Sequence, residues 1–382
     1  MVSKREFFAA VDFVLCSNAD LFIGNSVSTF SALIELRRLQ NTESVFHYNA
    51  GDIPLQPFIP LSSLGERLVE NGFIKRLKWV FALTLSNPNS LGFINIAKVA
   101  VASARRNTKL DPICILHIAE NAVGAEWVLD IIAWLETAGV VIIRHTPAFA
   151  ALISRGHYAA LSLGNQKYSP LYNDYYSMVG TYLRLDIPIL GFIDKYVLYT
   201  DVDVYFAGDI TLNNFKVKPK YFLVGYESYA YTEVGNAGVT LYNVEGMRRT
   251  YKEFIKKCFE EKYIDAGLYY GKINGPLDQG AMNLMYGADS LYQKTLVEPL
   301  MFNWRPYWAL SKRHQTSIVH FHGPKPLDYI NHFEDPSNDM PLFKHLFASC
   351  DNPEVSEACK LWIRKWMQLY DKINLGFIPV AN

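Results

Sequence analysis

The feature that most limits the fold is a regular alternation of strand and helix patterns in the middle of the chain. Apolar and β-branched runs at 78–85, 112–118 and 139–144 have the composition of buried strands. Between them, 91–106 and 125–138 place apolar residues at helical spacing. Strands that alternate with helices of this length form parallel β-α-β units with right-handed crossovers. The sequence therefore predicts an α/β fold, with one Rossmann-like sheet flanked by helices.

The pattern becomes less regular in the second half of the chain. A helix is predicted at 174–186 and should stop before Pro188, because a residue that precedes proline avoids the helical conformation. Shorter strands follow at 221–226 and 237–243, and a charged helix follows at 245–261. A half of this kind usually carries the site for the second substrate, and we expect the sheet to be mixed rather than purely parallel.

Composition argues against several classes of protein. Half of the 382 residues are hydrophobic, which is enough for a large packed core and far from the composition of a disordered chain. Lys and Arg together number 37, as do Asp and Glu, so no basic excess points to a nucleic-acid partner. No stretch is long and apolar enough to span a bilayer. The five cysteines are scattered without zinc-type spacing, which favours buried reduced thiols and a cytoplasmic location.

Two carboxylates stand at the end of a further apolar strand. The run 196–200 leads directly into Asp201 and Asp203. Their side chains point the same way if the strand continues, and they flank one turn if it ends there. Adjacent carboxylates in an apolar setting repel each other unless a cation joins them, and Mg²⁺ or Mn²⁺ can do so when a diphosphate completes its shell. Taken alone, however, such a pair is more often a solvated turn.

Four other segments accompany the acidic pair in a fixed order. They read Thr-Tyr-Leu-Arg-Leu-Asp-Ile-Pro at 181–188, Asn-Ala-Gly-Val-Thr-Leu-Tyr-Asn at 236–243, Asp-Gln-Gly-Ala-Met-Asn at 278–283 and His-Phe-His-Gly-Pro-Lys-Pro at 320–326. Together with 199–203 they resemble the motifs of the family 8 retaining glycosyltransferases, which include glycogenin, galactinol synthase and bacterial lipopolysaccharide galactosyltransferases. The resemblance covers residues 78–330 and implies a GT-A fold.

This resemblance implies a metal site. The matching family residues hold Mn²⁺, so Asp201, Asp203 and His320 are expected to bind Mn²⁺, with Mg²⁺ as the alternative. His322 is a competing ligand, because it lies two residues on and faces the same side of a strand. Without the resemblance, a core histidine would be the simpler explanation of His320. The ion would act as a Lewis acid toward the departing nucleoside diphosphate.

The resemblance also implies which residues bind the donor. Lys325 and Gly323 would contact the diphosphate, Gly323 by letting the backbone approach closely. Arg184 would lie near the nucleotide-sugar, and a structural ion pair with Asp201 is an equally good explanation of this arginine. Thr84 lies where the first strand of the sheet should frame the nucleoside.

Asn236 and Asp278 would bind hydroxyls of the sugar, with Gln279 beneath the anomeric carbon. Retention of configuration normally requires a carboxylate nucleophile, and Gln279 is a neutral amide. This favours attack from the face that the leaving group occupies, with the phosphate accepting the proton, and it leaves open a short-lived adduct through Gln279 or Asp278. The chain departs from the family pattern where it has Ala237 in place of serine and Leu327 in place of tryptophan.

Residues 11–55 do not follow the main pattern. The run 11–31 resembles the closing segment of fucosyltransferase-like GT-B enzymes, in which a strand and a Ser/Thr-rich turn precede a helix, capped here by Ser28 or Thr29. One strand and one helix cannot form that half alone. We therefore interpret 1–65 as a truncated strand-helix remnant packed on the main domain, or as the tail of a longer bifunctional parent, with 52–60 as the linker. A docking element without an activity of its own is the favoured interpretation.

The rest of the chain is predicted to divide into a GT-A domain at 66–350 and a C-terminal docking helix at 351–382. The helix is predicted from apolar residues three or four positions apart, which are Val355, Ala358, Trp362, Trp366, Leu369 and Ile373. Docking on the protein's own core is favoured, and a membrane surface or a partner subunit is the alternative.

These predictions converge on a metal-dependent hexosyltransferase with a UDP-sugar donor. The acceptor is left open between a glycan, a polyol and a protein, and a homodimer is also left open. A non-catalytic sugar-binding relative is one alternative. A nucleotidyltransferase is another, although the loop 86–90 lacks the basic, glycine-rich character that such an enzyme needs. The Golgi lumen stays an alternative location if an anchor precedes Met1.

Overall fold

The described residues of the computed structural model are 11–14, 16, 22–25, 34, 45–48, 56–57, 76–88, 91–154, 174–215, 218–228, 231–258, 277–286, 295–296, 299–308, 316–341 and 343–379. The chain divides into two compact units, Met1–Arg76 and Leu77–Asn382. The three domains predicted from the sequence, with boundaries after 65 and 350, stay predictions.

The smaller unit contains a short three-stranded sheet. β1 (Phe22–Asn25) runs parallel to β2 (Val45–Tyr48), which pairs antiparallel with β3 (Gln56–Pro57). The predicted linker at 52–60 includes β3, and its role as a linker stays a prediction. Proline is tolerated there because β3 is an edge strand of the sheet. The predicted cap at Ser28 or Thr29 lies outside the described residues.

The larger unit is built on a mixed sheet, as predicted, with seven strands among the described residues. The strands of the larger unit are β4 (Lys78–Leu85), β5 (Asp111–Ile118), β6 (Val141–Arg144), β7 (Tyr196–Thr200), β8 (Val204–Phe206), β9 (Phe222–Ser228), β10 (Tyr231–Asn243), β11 (Thr295–Leu296) and β12 (Ile318–His320). β8 and β12 pair with each other in a separate two-stranded sheet, and the other seven form the mixed sheet. The order across the sheet is β11-β9-β10-β7-β4-β5-β6. β7, β4, β5 and β6 are parallel, whereas β10 is antiparallel to both β7 and β9.

Helices cover both faces of this sheet. The α-helices are α1 (Leu91–Asn107), α2 (Glu126–Thr137), α3 (Tyr175–Tyr182), α4 (Val244–Cys258), α5 (Leu277–Met285), α6 (Pro299–Phe302), α7 (Pro326–Glu334), α8 (Lys344–Phe347) and α9 (Pro353–Asn374). Short 3₁₀ helices lie at Glu120–Ala122, Leu183–Ile189, Leu212–Asn214, Pro336–Asn338 and Ala348–Asp351. The strand predicted at 78–85 is confirmed residue for residue, and the helices predicted at 91–106 and 125–138 are confirmed to within one residue at each end.

The helix predicted at 174–186 is correct only for its first half. α3 ends at Tyr182, and a 3₁₀ helix then continues through Pro188, where we expected the helix to have stopped. Arg184 and Asp186, two positions apart in this segment, have different partners. Each of these charges is buried and has its own partners, which stabilises the tighter segment.

The core lies on both faces of the sheet, as the alternation of side chains along β4 shows. Trp79 and Phe81 belong to the cluster that includes α1, α2 and α9, and Val80 belongs to the cluster under α3, α4 and α5. Burial of each such large side chain contributes about 1.5–3 kcal/mol. The four cysteines Cys114, Cys258, Cys350 and Cys359 are buried and form no disulfide within the described part of the chain.

The C-terminal helix α9 packs on the core of the larger unit. Its apolar stripe is buried along its whole length, at Val355, Ala358, Trp362, Trp366, Leu369 and Ile373. Asn352 caps the helix by accepting a hydrogen bond from the backbone N–H of Glu354 at 3.0 Å. None of the helices in the described ranges is both long enough and apolar enough to cross a membrane.

Candidate active site

The acidic pair lies in a turn that the chain makes between two strands. β7 ends at Thr200, Asp201 to Asp203 turn, and β8 begins at Val204. The backbone N–H of Asp201 donates to the carbonyl of Gly238 at 2.8 Å, which ties the turn to β10. The backbone N–H of Phe321 donates to the carbonyl of Asp203 at 2.8 Å, which ties it to the segment after β12. The strand therefore does not continue, and the two carboxylates flank one turn.

This arrangement brings a distant imidazole to the acidic pair. One ligand atom from each of Asp201, Asp203 and His320 lies within 4.8 Å of the other two, and the described residues contain no other such group. Asp203 and His320 are buried, whereas the side chain of Asp201 is 33% exposed. His322, the competing ligand, is not in this group. Its Nδ1 lies 2.9 Å from the hydroxyl of Tyr307, within hydrogen-bond distance.

The three residues fit a divalent cation. Oδ1 of Asp203 and Nε2 of His320 are 3.4 Å apart, and neither has a hydrogen-bond partner among the described residues. Nδ1 of His320 lies 2.7 Å from Oδ1 of Asn303, an acceptor, so we assign the ring proton to Nδ1 and the lone pair to Nε2. Two buried acceptors that face each other at this distance repel unless a cation lies between them.

Gly238 lies against two residues of the group that would hold such an ion. A Cβ atom added to this residue would be 2.4 Å from Cε1 of His320 and 2.8 Å from Oδ2 of Asp201. Any side chain at this position of β10 would therefore displace ligand residues of the cluster. The donor set of two carboxylates and one imidazole suits Mn²⁺ or Mg²⁺, with positions left for diphosphate oxygens.

Lys325 contacts the metal cluster directly. Its Nζ donates to Oδ2 of Asp203 and to the carbonyl of Phe321, the latter at 3.1 Å. Burial raises the pKa of Asp203, but the charge of Lys325 outweighs this effect and helps to hold the pKa below its usual value. Gly323 has φ of 79°, and an added Cβ would be 2.9 Å from Leu346, so glycine is required at this turn.

Arg184 joins the acidic turn to α5. Its Nη1 donates to Oδ1 of Asp201 and to the carbonyl of Ala237, both at 2.9 Å. Its Nε lies 2.9 Å from Oδ2 of Asp278 but donates its hydrogen to the carbonyl of Thr181 at 3.0 Å. Asp278 is therefore paired with Arg184 by charge rather than by a hydrogen bond. The ion pair with Asp201 that the sequence left open is present.

Burial raises the pKa of Asp278 to about 6, and the opposing effect of Arg184 is partly cancelled by the nearby charge of Asp201. Tyr199 contributes to the same group, because its hydroxyl donates to Oδ1 of Asp201 at 3.1 Å and its ring lies 5.0 Å from the guanidinium of Arg184. Tyr199 lies inside the recognised motif, but nothing in the sequence indicated this role.

Asn236 and Gln279 lie side by side next to this group. Oε1 of Gln279 accepts from Nδ2 of Asn236 at 3.2 Å and from the backbone N–H of Ala237 at 3.0 Å. Oδ1 of Asn236 accepts from the backbone N–H of Gly238 at 3.1 Å and from Nδ2 of Asn303 at 3.3 Å. The structure therefore brings together the residues predicted to hold metal and sugar, and adds Asn303, which sequence reasoning missed.

Thr84 occupies a more enclosed position than the prediction implied. It pairs in register with His117 of β5, and its Oγ1 is buried without a hydrogen-bond partner among the described residues. A Cβ added to Gly180 would be 3.0 Å from this oxygen, which places Thr84 beneath α3. Its role in framing a nucleoside stays a prediction.

Comparison with known proteins shows only remote similarity. No protein-family model matches the sequence, and no curated protein matches it. Among solved structures, the apo form of the glycosyltransferase GlyE from Streptococcus pneumoniae TIGR4 is 17% identical, with 76% of this chain and 64% of that chain covered and a TM-score of 0.44. This chain thus spans less than two thirds of the GlyE chain.

Two further solved structures show similarity at the same level. Apo mouse xyloside xylosyltransferase 1 is 15% identical, with 65% of this chain and 98% of that chain covered and a TM-score of 0.42. The galactosyltransferase LgtC in complex with donor and acceptor sugar analogs is 18% identical, with 65% and 89% covered and a TM-score of 0.42. Similarity this low does not assign a function.

Proposed function

We propose that this chain is a GT-A glycosyltransferase that moves a hexosyl group from a UDP-sugar to a glycan, polyol or protein acceptor, with retention of configuration and with Mn²⁺ or Mg²⁺ as cofactor. The transferase site lies in the predicted domain 66–350. The proposal combines the resemblance of five motifs to the family 8 enzymes with the geometry of the residues in those motifs.

One observation supports the proposal most strongly. Asp203 and His320 are 117 positions apart in the chain, yet their unpartnered atoms face each other at 3.4 Å beside Asp201. A buried carboxylate and a buried imidazole that serve only the core would be expected to satisfy these atoms with protein donors. The fit of this donor set to a divalent ion supports a site that binds a nucleoside diphosphate.

Residues around the cluster have the charges that a diphosphate requires. When bound, the ion would neutralise negative charge that grows on the departing UDP. The Nζ of Lys325 donates a hydrogen bond to Asp203 of the cluster, and we expect Nζ to contact the diphosphate instead when the donor binds. Arg184 holds Asp201 and so orients one ligand of the ion.

Hydrogen bonding around Gln279 supports same-face attack over a covalent adduct. Its carbonyl oxygen already accepts two hydrogen bonds, from Ala237 and Asn236, which makes it a poorer nucleophile. In the proposed reaction, the bond between the anomeric carbon and the phosphate oxygen breaks, and the acceptor oxygen forms its bond on the same face. The proton of the acceptor hydroxyl passes to the leaving phosphate oxygen.

Metal-dependent release of UDP tests the proposal. UDP release from UDP-glucose and UDP-galactose is measured with Mn²⁺, with and without a chelator, for the wild type and for Asp203→Asn and His320→Gln. We expect the chelator to abolish release and each variant to reduce it by at least about 100-fold, because each change removes a ligand. Asp130→Asn and His345→Gln are matched controls on exposed surfaces and should behave as the wild type.

Circular dichroism and thermal unfolding show whether each variant is folded. Release that persists in folded Asp203→Asn and His320→Gln would refute the metal assignment. Binding of UDP and Mn²⁺ without turnover of any UDP-sugar, in the presence of glycan, polyol and protein acceptors, would identify the chain as a non-catalytic relative instead.

A further inference from the structure

We propose that Asn303 is a positioning residue that fixes the ring of His320 and couples the metal cluster to the sugar-binding side chains of β10. The inference rests on the proposed function for the roles of His320 and Asn236. Asn303 lies between α6 and the segment that runs beside β12, and it is fully buried. The backbone N–H of His320 donates to the carbonyl of Trp304 at 2.8 Å, which holds the two segments side by side.

Each hydrogen bond in this region sets the direction of the next one. The backbone N–H of Ala237 donates to Oε1 of Gln279 at 3.0 Å, which identifies this atom as the acceptor end of the amide. Nδ2 of Asn236 donates to the same oxygen, so Oδ1 of Asn236 must point the other way. There it accepts from the backbone N–H of Gly238 at 3.1 Å.

The orientation of Asn236 in turn fixes the orientation of the Asn303 amide and the position of the ring proton of His320. Since Oδ1 of Asn236 is an acceptor, the atom of Asn303 that faces it at 3.3 Å must be the amide nitrogen. Oδ1 of Asn303 is thereby turned to His320, whose Nδ1 donates to it at 2.7 Å. The lone pair is left on Nε2, which faces Asp203. Two backbone amides of β10 therefore dictate which nitrogen of His320 is able to bind a metal.

Four side chains, those of Gln279, Asn236, Asn303 and His320, form a linear chain of hydrogen bonds, which we call the relay. All four are buried. Since an amide that reversed its orientation would bring two acceptors or two donors face to face, reorientation at one end disfavours the native arrangement at the other. A sugar hydroxyl that bonds Asn236 would thus stabilise the orientation of His320 that a metal ion needs.

β9 makes room for Asn303. A Cβ atom added to Gly225 would be 2.8 Å from Cβ and 2.8 Å from Nδ2 of Asn303. Ordinary contact begins at 3.4 Å, so alanine at this position would displace Asn303, to which the three nearest atoms all belong. Gly225→Ala is therefore an independent way to disturb the relay.

Nuclear magnetic resonance of the metal-free protein tests the relay directly. Nitrogen-15 spectra of the nine histidine rings are recorded, with the His320 signals identified by their loss in His320→Gln. We expect a single tautomer with the proton on Nδ1 in the wild type and a mixture of tautomers in Asn303→Ala and Gly225→Ala. A wild-type ring with its proton on Nε2 would overturn the inference, as would an unchanged spectrum in Asn303→Ala.

Metal affinity gives the functional readout. Binding of Mn²⁺ in the presence of UDP is measured by electron paramagnetic resonance of the free ion. Asn303→Ala should weaken binding about 10- to 100-fold, as loss of an orienting partner does at other sites. Asn303→Asp retains an acceptor for His320 and should bind the ion within about threefold of the wild type. In Asn303→Asp, a carboxylate oxygen replaces the amide nitrogen that donates to Oδ1 of Asn236, so two acceptors face each other. Because this disturbs Asn236, which we propose binds the sugar, the KM for the UDP-sugar should rise about tenfold.

Asn243→Ala, at the end of β10, is the matched control, because it likewise removes a buried side-chain amide but leaves the relay intact. Equal losses of metal affinity in Asn243→Ala and Asn303→Ala would overturn the inference, because both would then reflect general destabilisation. If the wild type binds no Mn²⁺ and turns over no donor, the proposed function fails. The tautomer of His320 in the metal-free protein still decides whether the relay exists.

Discussion

A single methyl group at Gly238 should disable the metal site while the fold survives. This residue lies on β10 beside the acidic turn, and a Cβ added to it would be 2.4 Å from Cε1 of His320 and 2.8 Å from Oδ2 of Asp201. A third close contact, at 3.0 Å, would be with Oδ1 of Asn236. Gly238→Ala therefore directs its methyl group toward two of the three proposed ligands at once.

The size of the effect follows from these distances. Ordinary contact with a Cβ begins at 3.4 Å, so Cε1 of His320 would have to move by about 1.0 Å and Oδ2 of Asp201 by about 0.6 Å. Metal–ligand distances vary by only about 0.2 Å, so both displacements exceed what a site tolerates. Because disturbance of a mere orienting partner costs about 10- to 100-fold in metal affinity, we expect a loss of at least about 100-fold. Crowding should lower the free energy of unfolding by about 1–3 kcal/mol.

Binding of Mn²⁺ with UDP present measures this effect, and chemical unfolding shows that the variant is folded. Gly92→Ala on α1 is the matched control, because a Cβ there would have no atom within 4 Å. Gly92→Ala should bind Mn²⁺ with the affinity of the wild type, and it should not lower the free energy of unfolding, because alanine has a higher helix propensity than glycine. Folded Gly238→Ala that retains wild-type affinity for Mn²⁺ would refute the placement of the ion between His320 and Asp201.

Three other substitutions have definite expected outcomes. The raised pKa of Asp278, about 6 against 3.8, means that this group stabilises the fold below about pH 4 and loses that contribution as the pH rises through 6. Relative to Asp278→Asn, wild-type stability in urea should therefore fall by about 3 kcal/mol between about pH 3 and about pH 7 (a difference of about 2.2 at about 1.36 kcal/mol per pH unit), and parallel curves would contradict this. Lys325→Met should weaken UDP binding in the presence of Mn²⁺ at least about tenfold by calorimetry, because a charge-assisted hydrogen bond is lost; unchanged affinity would remove Lys325 from the diphosphate site. Trp366→Ala should lower the free energy of unfolding by about 3–5 kcal/mol, since this ring of α9 is fully buried, and a loss below about 1 kcal/mol would show that α9 contributes little to the core.

Local patterns in the sequence were enough to predict most of the sheet. β4 is apolar at six of its eight positions, and buried strands of this kind are recognisable without knowledge of their neighbours. The transition from α-helix to 3₁₀ helix at Leu183 was missed, because it depends on the partners of Arg184 and Asp186 rather than on local propensity. Pro188 marked a boundary, but the tighter helix accommodates it.

The candidate site was predictable only where its residues stand in recognisable motifs. Asp201, Asp203 and His320 were assigned through a resemblance, and the structure brings their ligand atoms together. Asn303 has no such signal, because it follows Phe302 in a short stretch without a motif. Its role arises from the pairing of its segment with β12, a contact between residues 17 positions apart that no local pattern encodes.

Buried charges show most clearly why such partners cannot be found from sequence. Asp186 is fully buried, and it is balanced by Nε2 of His145 at 2.6 Å and by the hydroxyl of Tyr251. These residues are 41 and 65 positions away and belong to different elements of the fold. A sequence can indicate that a charge lies within an apolar stretch, and electrostatics then requires a partner for it. Which residue supplies that partner is decided by the topology of the sheet, since only the folded chain brings the end of β6 and helix α4 to the same 3₁₀ segment.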